Sequence, residues 1–106
     1  MKVVDTWWAK VYIAGNIREI EDWCRWICDK DGLCVTVTPT RYVYTNGTEK
    51  GAEIGLVNYP PYTKTRKEIN DMASKIAWTL LGETSQQSAL IVTPETTELI
   101  STREQA

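Results

Sequence analysis

Residues 7–20 read WWAKVYIAGNIREI, and a change of period inside this stretch decides the fold. From Trp7 to Ala14 the side chains alternate. Trp7, Ala9, Val11 and Ile13 point one way; Trp8, Lys10 and Tyr12 point the other. A repeat of two marks a strand with one buried face. Gly15 ends the strand. Asn16 is placed to cap a helix, and Glu19 three residues later completes a capping-box-like pattern. Beyond it, Ile17, Ile20, Cys24 and Ile27 fall at helical spacing and define a buried stripe, flanked by Trp23 and Trp26. Gly32 stands just past the predicted helix end, where a left-handed cap is common. A strand therefore leads directly into a helix.

The same unit recurs downstream. Leu33, Val35 and Val37 alternate with Cys34, Thr36 and Thr38. Pro39 cannot donate to a ladder and is expected to bend or bulge this strand, which RYVYT at 41–45 resumes. NGTEKG, Asn46 to Gly51, reads as a hairpin loop, and Ala52 to Tyr59 as the returning strand. The register of that strand is open: Ile54 and Leu56 share one face, Val57 and Tyr59 the other. Pro60 and Pro61 stop it. Thr65 and Glu68 match a second capping box, and Ile69, Met72, Ala73, Ile76 and Leu80 form the stripe of a second helix that Gly82 closes. Ala89 to Thr93 is a strand, Pro94 to Thr96 a turn, and Glu98 to Ser101 a short edge strand. Strand, helix, strand, strand, helix, strand makes two split βαβ units. The predicted class is α+β, a ferredoxin-like βαββαβ sandwich with both helices on one face of an antiparallel sheet. One domain is expected over 1–101, with a frayed tail at 102–106.

Composition narrows the chemistry. The chain has 106 residues, a net charge of −2, three cysteines and no histidine. Absent histidine removes serine–histidine and cysteine–histidine nucleophile pairs and histidine metal sites. No Gly-x-Ser-x-Gly or phosphate-loop motif occurs. Cys24, Cys28 and Cys34 lack Cys-x-x-Cys spacing and read as reduced, packed thiols rather than zinc ligands. A slightly acidic chain is a poor general nucleic-acid binder. No window approaches the roughly 18 apolar residues of a membrane span, and the start lacks a signal-peptide pattern. A carboxylate-only enzyme is the catalytic class that remains, but no pair of acids stands out. The expectation is a cytoplasmic protein that is not an enzyme and holds no metal or cofactor.

Three places call for a ligand or partner. The stretch NYPPYTKTRKEIN, 58–70, sets Lys64, Arg66 and Lys67 at a helix N-terminus, the wrong end for cations. A bound anion would reverse that sign, with the Thr63 or Thr65 hydroxyl and a bidentate Arg66 as ligands, and Tyr59 and Tyr62 stacking on a base. The bland alternative lets these side chains bend into solvent while Glu68 offsets them. The helix-free sheet face should present Trp8, Lys10, Tyr12, Thr36 and Thr38, with Tyr42 or Tyr44 beside them. Exposed aromatics there point to contact with something. Trp78 lies opposite the stripe of the second helix and should lean outward, as a binding ridge or under the C-terminal tail.

Two resemblances sharpen this. VYIAGNI, Val11 to Ile17, and KGAEIGLVNY, Lys50 to Tyr59, are similar to the first- and third-strand motifs of RNA-recognition-motif domains. That likeness implies Tyr12 as a base-stacking residue, while the two third-strand stacking positions hold Ile54 and Leu56. The stretches LCVTVTPTRYVYT (33–45), GAEIGLVNYPPYT (51–63) and SALIVTPETTELIS (88–101) together resemble small accessory proteins of tailed bacteriophages. That resemblance implies an anti-defence role by binding, in the host cytoplasm. The first functional expectation is thus a homodimeric inhibitor that captures a host defence protein stoichiometrically. The second is a sponge for a phosphate-bearing cyclic nucleotide. Single-stranded RNA binding comes third.

Overall fold

The computed structural model describes residues 1–102. Its elements run β1 (Trp8–Ala14), α1 (Ile17–Asp31), β2 (Val35–Tyr44), β3 (Gly47–Val57), a 3-10 turn at Pro60–Tyr62, α2 (Arg66–Glu83), β4 (Ser88–Val92) and β5 (Thr97–Ser101). The sheet order is β2-β3-β1-β4-β5 and every neighbouring pair is antiparallel. Each helix thus joins two strands separated by a third: β3 lies between β1 and β2, and β1 between β3 and β4. These are the two split βαβ units, and the α+β ferredoxin-like class stands, with β5 added at one edge.

Local chemistry sets the helix ends. The Asn16 side chain accepts from the Arg18 and Glu19 amides at 2.9 and 3.2 Å. Gly32 caps α1 at φ 62°, a left-handed conformation that glycine adopts without a Cβ penalty. At α2, Thr65 Oγ1 accepts from the Glu68 amide and Glu68 Oε1 accepts from the Thr65 amide, a closed capping box. Gly82 does not close α2. The helix carries through it to Glu83, because termination comes from Thr84, whose amide and hydroxyl both donate to Leu80 O, and from Ser85 at φ 57°.

The core lies between the sheet and the two helices. Val11, Ile54 and Ile91 from the sheet meet Ile20 and Ile27 of α1 and Ile69, Ile76 and Leu80 of α2, all at most 4% exposed. The register of β3 is resolved: Ala52, Ile54 and Leu56 face the helices, and Glu53, Gly55 and Val57 face away. Pro39 neither breaks nor bulges β2, which runs unbroken from Val35 to Tyr44. As an outer strand, β2 tolerates a residue without an N–H. The predicted hairpin loop shrinks to Thr45 and Asn46, since β3 already begins at Gly47 opposite Tyr44. Thr102 is tied down, its amide donating to Gln87 O at 2.8 Å. The rest of the expected frayed tail, 103–106, lies outside the described residues.

Candidate functional site

The strand register builds the helix-free face row by row. One row runs Thr36, Gly55, Lys10, Val92; the next runs Thr38, Glu53, Tyr12, Leu90, Leu99. Trp8, Lys10, Tyr12, Thr36 and Thr38 therefore all stand on this face. Lys10 and Glu53 are diagonal neighbours across β1 and β3, and their charged groups meet at 3.0 Å with side chains 44% and 30% exposed. The hydrogen bond to Glu53, and then its charge, raises the Lys10 ammonium above its ordinary range. Lys10 Nζ also lies 5.8 Å from the centre of the Trp8 ring. Gly55 lets the Thr36 side chain lie over the strand, since a Cβ there would come within 2.5 Å of Thr36 Oγ1.

Two clefts open on this face. One, of about 660 Å³, is lined by Trp8, Lys10, Thr36, Glu53, Val57 and Tyr59. The other, of about 360 Å³, is lined by Tyr12, Tyr42, Tyr44, Glu49, Gln86 and Leu90. Tyr42 lies across Gly51: a Cβ there would sit 2.7 Å from the ring and 2.3 Å from Ile13 O. The phenol donates to Ala52 O at 2.6 Å, and burial pushes its pKa up to about 12, so it stays a neutral donor near pH 7. Tyr44 Oη bonds Glu49 Oε1 at 2.9 Å. The face thus offers an aromatic cleft beside a partly shielded pair of opposite charges.

The cationic segment is arranged differently. Arg66 pairs with Glu95 at 3.3 Å and stacks 5.6 Å from the Trp7 ring centre. Lys67 pairs with Asp71 at 2.6 Å, and Lys64 Nζ donates to Gly32 O at 3.5 Å. The Thr63 hydroxyl donates to Pro60 O, and Thr65 is engaged in the capping box. Hydrogen bonds from Thr65 hold the Glu68 carboxyl below its ordinary value, so α2 already carries an anion at its N-terminus. Tyr59 and Tyr62 rings stand 6.1 Å apart, but only Tyr59 reaches the open-face cleft. Trp78 is 49% exposed on α2, in the helical layer behind the sheet. Ile54 and Leu56, which stand at the third-strand stacking positions of the RNA-recognition pattern, are buried under the helices and not displayed on the open face.

No family model and no curated protein matches the sequence. Solved structures do match the fold. A phage SAM lyase in complex with S-methyl-5'-thioadenosine superposes over 95% of this chain and 95% of its own, with a TM-score of 0.74 at 15% identity. A phage SAM lyase in the apo state covers 100% of this chain and 98% of its own, with a TM-score of 0.76 at 15% identity. The fold is similar to that of a phage SAM lyase. Identity this low carries the fold alone, but the phage context implied by the sequence agrees with it. The expectations of a non-catalytic capture protein and of no enzyme are overturned, because these full-length counterparts are enzymes. The inhibitor and nucleotide-sponge readings fall with them.

Sequence reading missed Glu53, Glu49 and Gln86 among the residues that line these clefts. Glu53 was legible in principle. Once Ala52, Ile54 and Leu56 are read as one buried face, the acid between them must project from the other. Gln86 had no signal, since it sits in the turn between α2 and β4. The cysteines lie apart from the clefts' charged pair in role. Burial raises Cys24 to about 12 and also raises Cys28, while Cys34 is exposed beside the larger cleft. Among the described residues, no group of side chains is arranged to hold a metal ion, and no helix is long and apolar enough to cross a membrane.

Proposed function

We propose that this chain cleaves S-adenosylmethionine, SAM, to S-methyl-5'-thioadenosine. The observation that carries the reading is the fold match to a phage SAM lyase over 95% and 100% of the chain. The open face supplies chemistry that suits it. To leave the methylthio nucleoside, the bond from sulfur to the γ-carbon of the amino-acid chain must break. A lyase does this without water. The substrate's own carboxylate is then the available nucleophile. Its oxygen attacks the γ-carbon, the bonding pair departs to sulfur, and the products are a neutral thioether and homoserine lactone. No proton moves, so a chain without histidine is adequate.

Such a step needs positioning more than acid–base help. Holding the carboxylate against the γ-carbon converts a floppy chain into a near-attack conformer. The reaction also cancels a negative charge against a positive one, which favours a site that excludes water. The Tyr12, Tyr42 and Tyr44 cleft takes the adenosine. Trp8 and Val57 shield the reacting centre. Glu53 takes the substrate's ammonium group. Consumption of SAM would disarm a host defence that depends on it, which keeps the anti-defence setting.

The test is product analysis by chromatography and mass spectrometry after incubation with SAM. The wild type yields S-methyl-5'-thioadenosine and homoserine lactone. Glu53→Gln raises KM about tenfold or more, the usual cost of losing a hydrogen bond to a charged partner. Intact SAM after prolonged incubation with the wild type would refute the proposal.

A further inference from the structure

Resting on the lyase reading, we propose that Lys10 is a specificity residue that recognises the substrate's carboxylate by exchanging ion-pair partners with Glu53. Lys10 Nζ and the Glu53 carboxylate stand 3.0 Å apart on the open face, opposite in charge and both part-exposed to the larger cleft. An α-amino acid head carries the complementary pair, an ammonium and a carboxylate attached to one carbon. Docking such a head between the two side chains replaces one internal ion pair by two intermolecular ones. Neither protein charge is left unpaired in the free protein or in the bound ground state, which avoids the cost of a stranded charge on binding. The nearby Trp8 face keeps a cation favourable as Lys10 turns from Glu53 to the ligand.

The consequence is discrimination. The product nucleoside has no amino-acid head, so once the lactone has left with its ammonium the internal Lys10–Glu53 pair closes again and nothing charged retains the nucleoside. The carboxylate also loses its charge as it attacks. Lys10 therefore holds the ground state more tightly than the transition state, and removing it should act on KM and not lower kcat.

The experiment compares wild type, Lys10→Met and Lys10→Arg on three ligands: SAM, decarboxylated SAM and S-methyl-5'-thioadenosine. Lys10→Met should raise the KM for SAM about three- to tenfold, the range for a part-exposed ion pair, with kcat unchanged or higher. Lys10→Arg should restore KM. Affinity for decarboxylated SAM and for the methylthio nucleoside should not fall in Lys10→Met, because neither carries the carboxylate. An unchanged or lowered KM for SAM in Lys10→Met overturns the inference while leaving the lyase reading intact, as would equal losses on all three ligands. A wild type that neither binds nor cleaves SAM overturns both.

Discussion

At the residue scale, the glycines of β3 decide what the open face can hold. Gly51 lets β1 and the Tyr42 ring close over it at once, since any Cβ there would meet Ile13 O at 2.3 Å. Gly51→Ala is expected to cost about 1–3 kcal/mol by overpacking, read as a lower Tm, and to disturb the tyrosine cleft. Circular dichroism melts check the first effect and nucleoside affinity the second. An unchanged Tm would show that the strands part without cost. The sequence makes Gly51 visible but gives it the wrong office, as the end of a loop. Its purpose appears only when Tyr42 and Ile13, distant in sequence, are seen to converge on it. Glu53 was hidden for the same reason. A strand whose two faces both carry apolar residues, Ile54 and Leu56 against Val57 and Tyr59, does not declare its register alone.

At the element scale, α2 shows how a helix end can look like a binding site without needing a ligand. Lys64, Arg66 and Lys67 oppose the helix dipole, yet the capping box supplies Glu68 as an internal anion and Glu95 and Asp71 pair with two of the cations. Thr65→Ala should cost about 1 kcal/mol, lowering Tm by several degrees. The Glu68 carboxyl titrates below its ordinary 4.5 in the folded chain, chiefly through its hydrogen bonds to Thr65. A depressed folded pKa adds stability that is full above the unfolded value and is lost as pH falls through the folded one. The stability gap between wild type and Glu68→Gln should therefore narrow steadily on acidification below about pH 4.5. A gap independent of pH, in denaturant titrations across that range, would show that Glu68 is not held this way. The Thr65–Glu68 capping box, the Asn16 cap and the helical stripes were legible, because they are local patterns, although Glu19 does not close a box at α1. Gly82 misled because a glycine signals a helix end only if the chain turns there, and the Thr84 and Leu80 contacts postpone the turn.

At the scale of the whole molecule, a sheet roofed on one side leaves the other side to be used. The order of elements was readable from the alternation of periods, and it implies this asymmetry directly. Function was not readable in the same way. Exposed aromatics and an absence of histidine look like a binding protein, and the proposed reaction, which needs no proton transfer, leaves no acid–base signature in a sequence. Capture and catalysis differ in one respect that a single experiment resolves. With SAM in large excess over protein, the released S-methyl-5'-thioadenosine is followed to completion and counted per chain. Turnover yields many equivalents per chain, formed together with homoserine lactone. Release that stops at or below one equivalent, or SAM recovered intact, would contradict it.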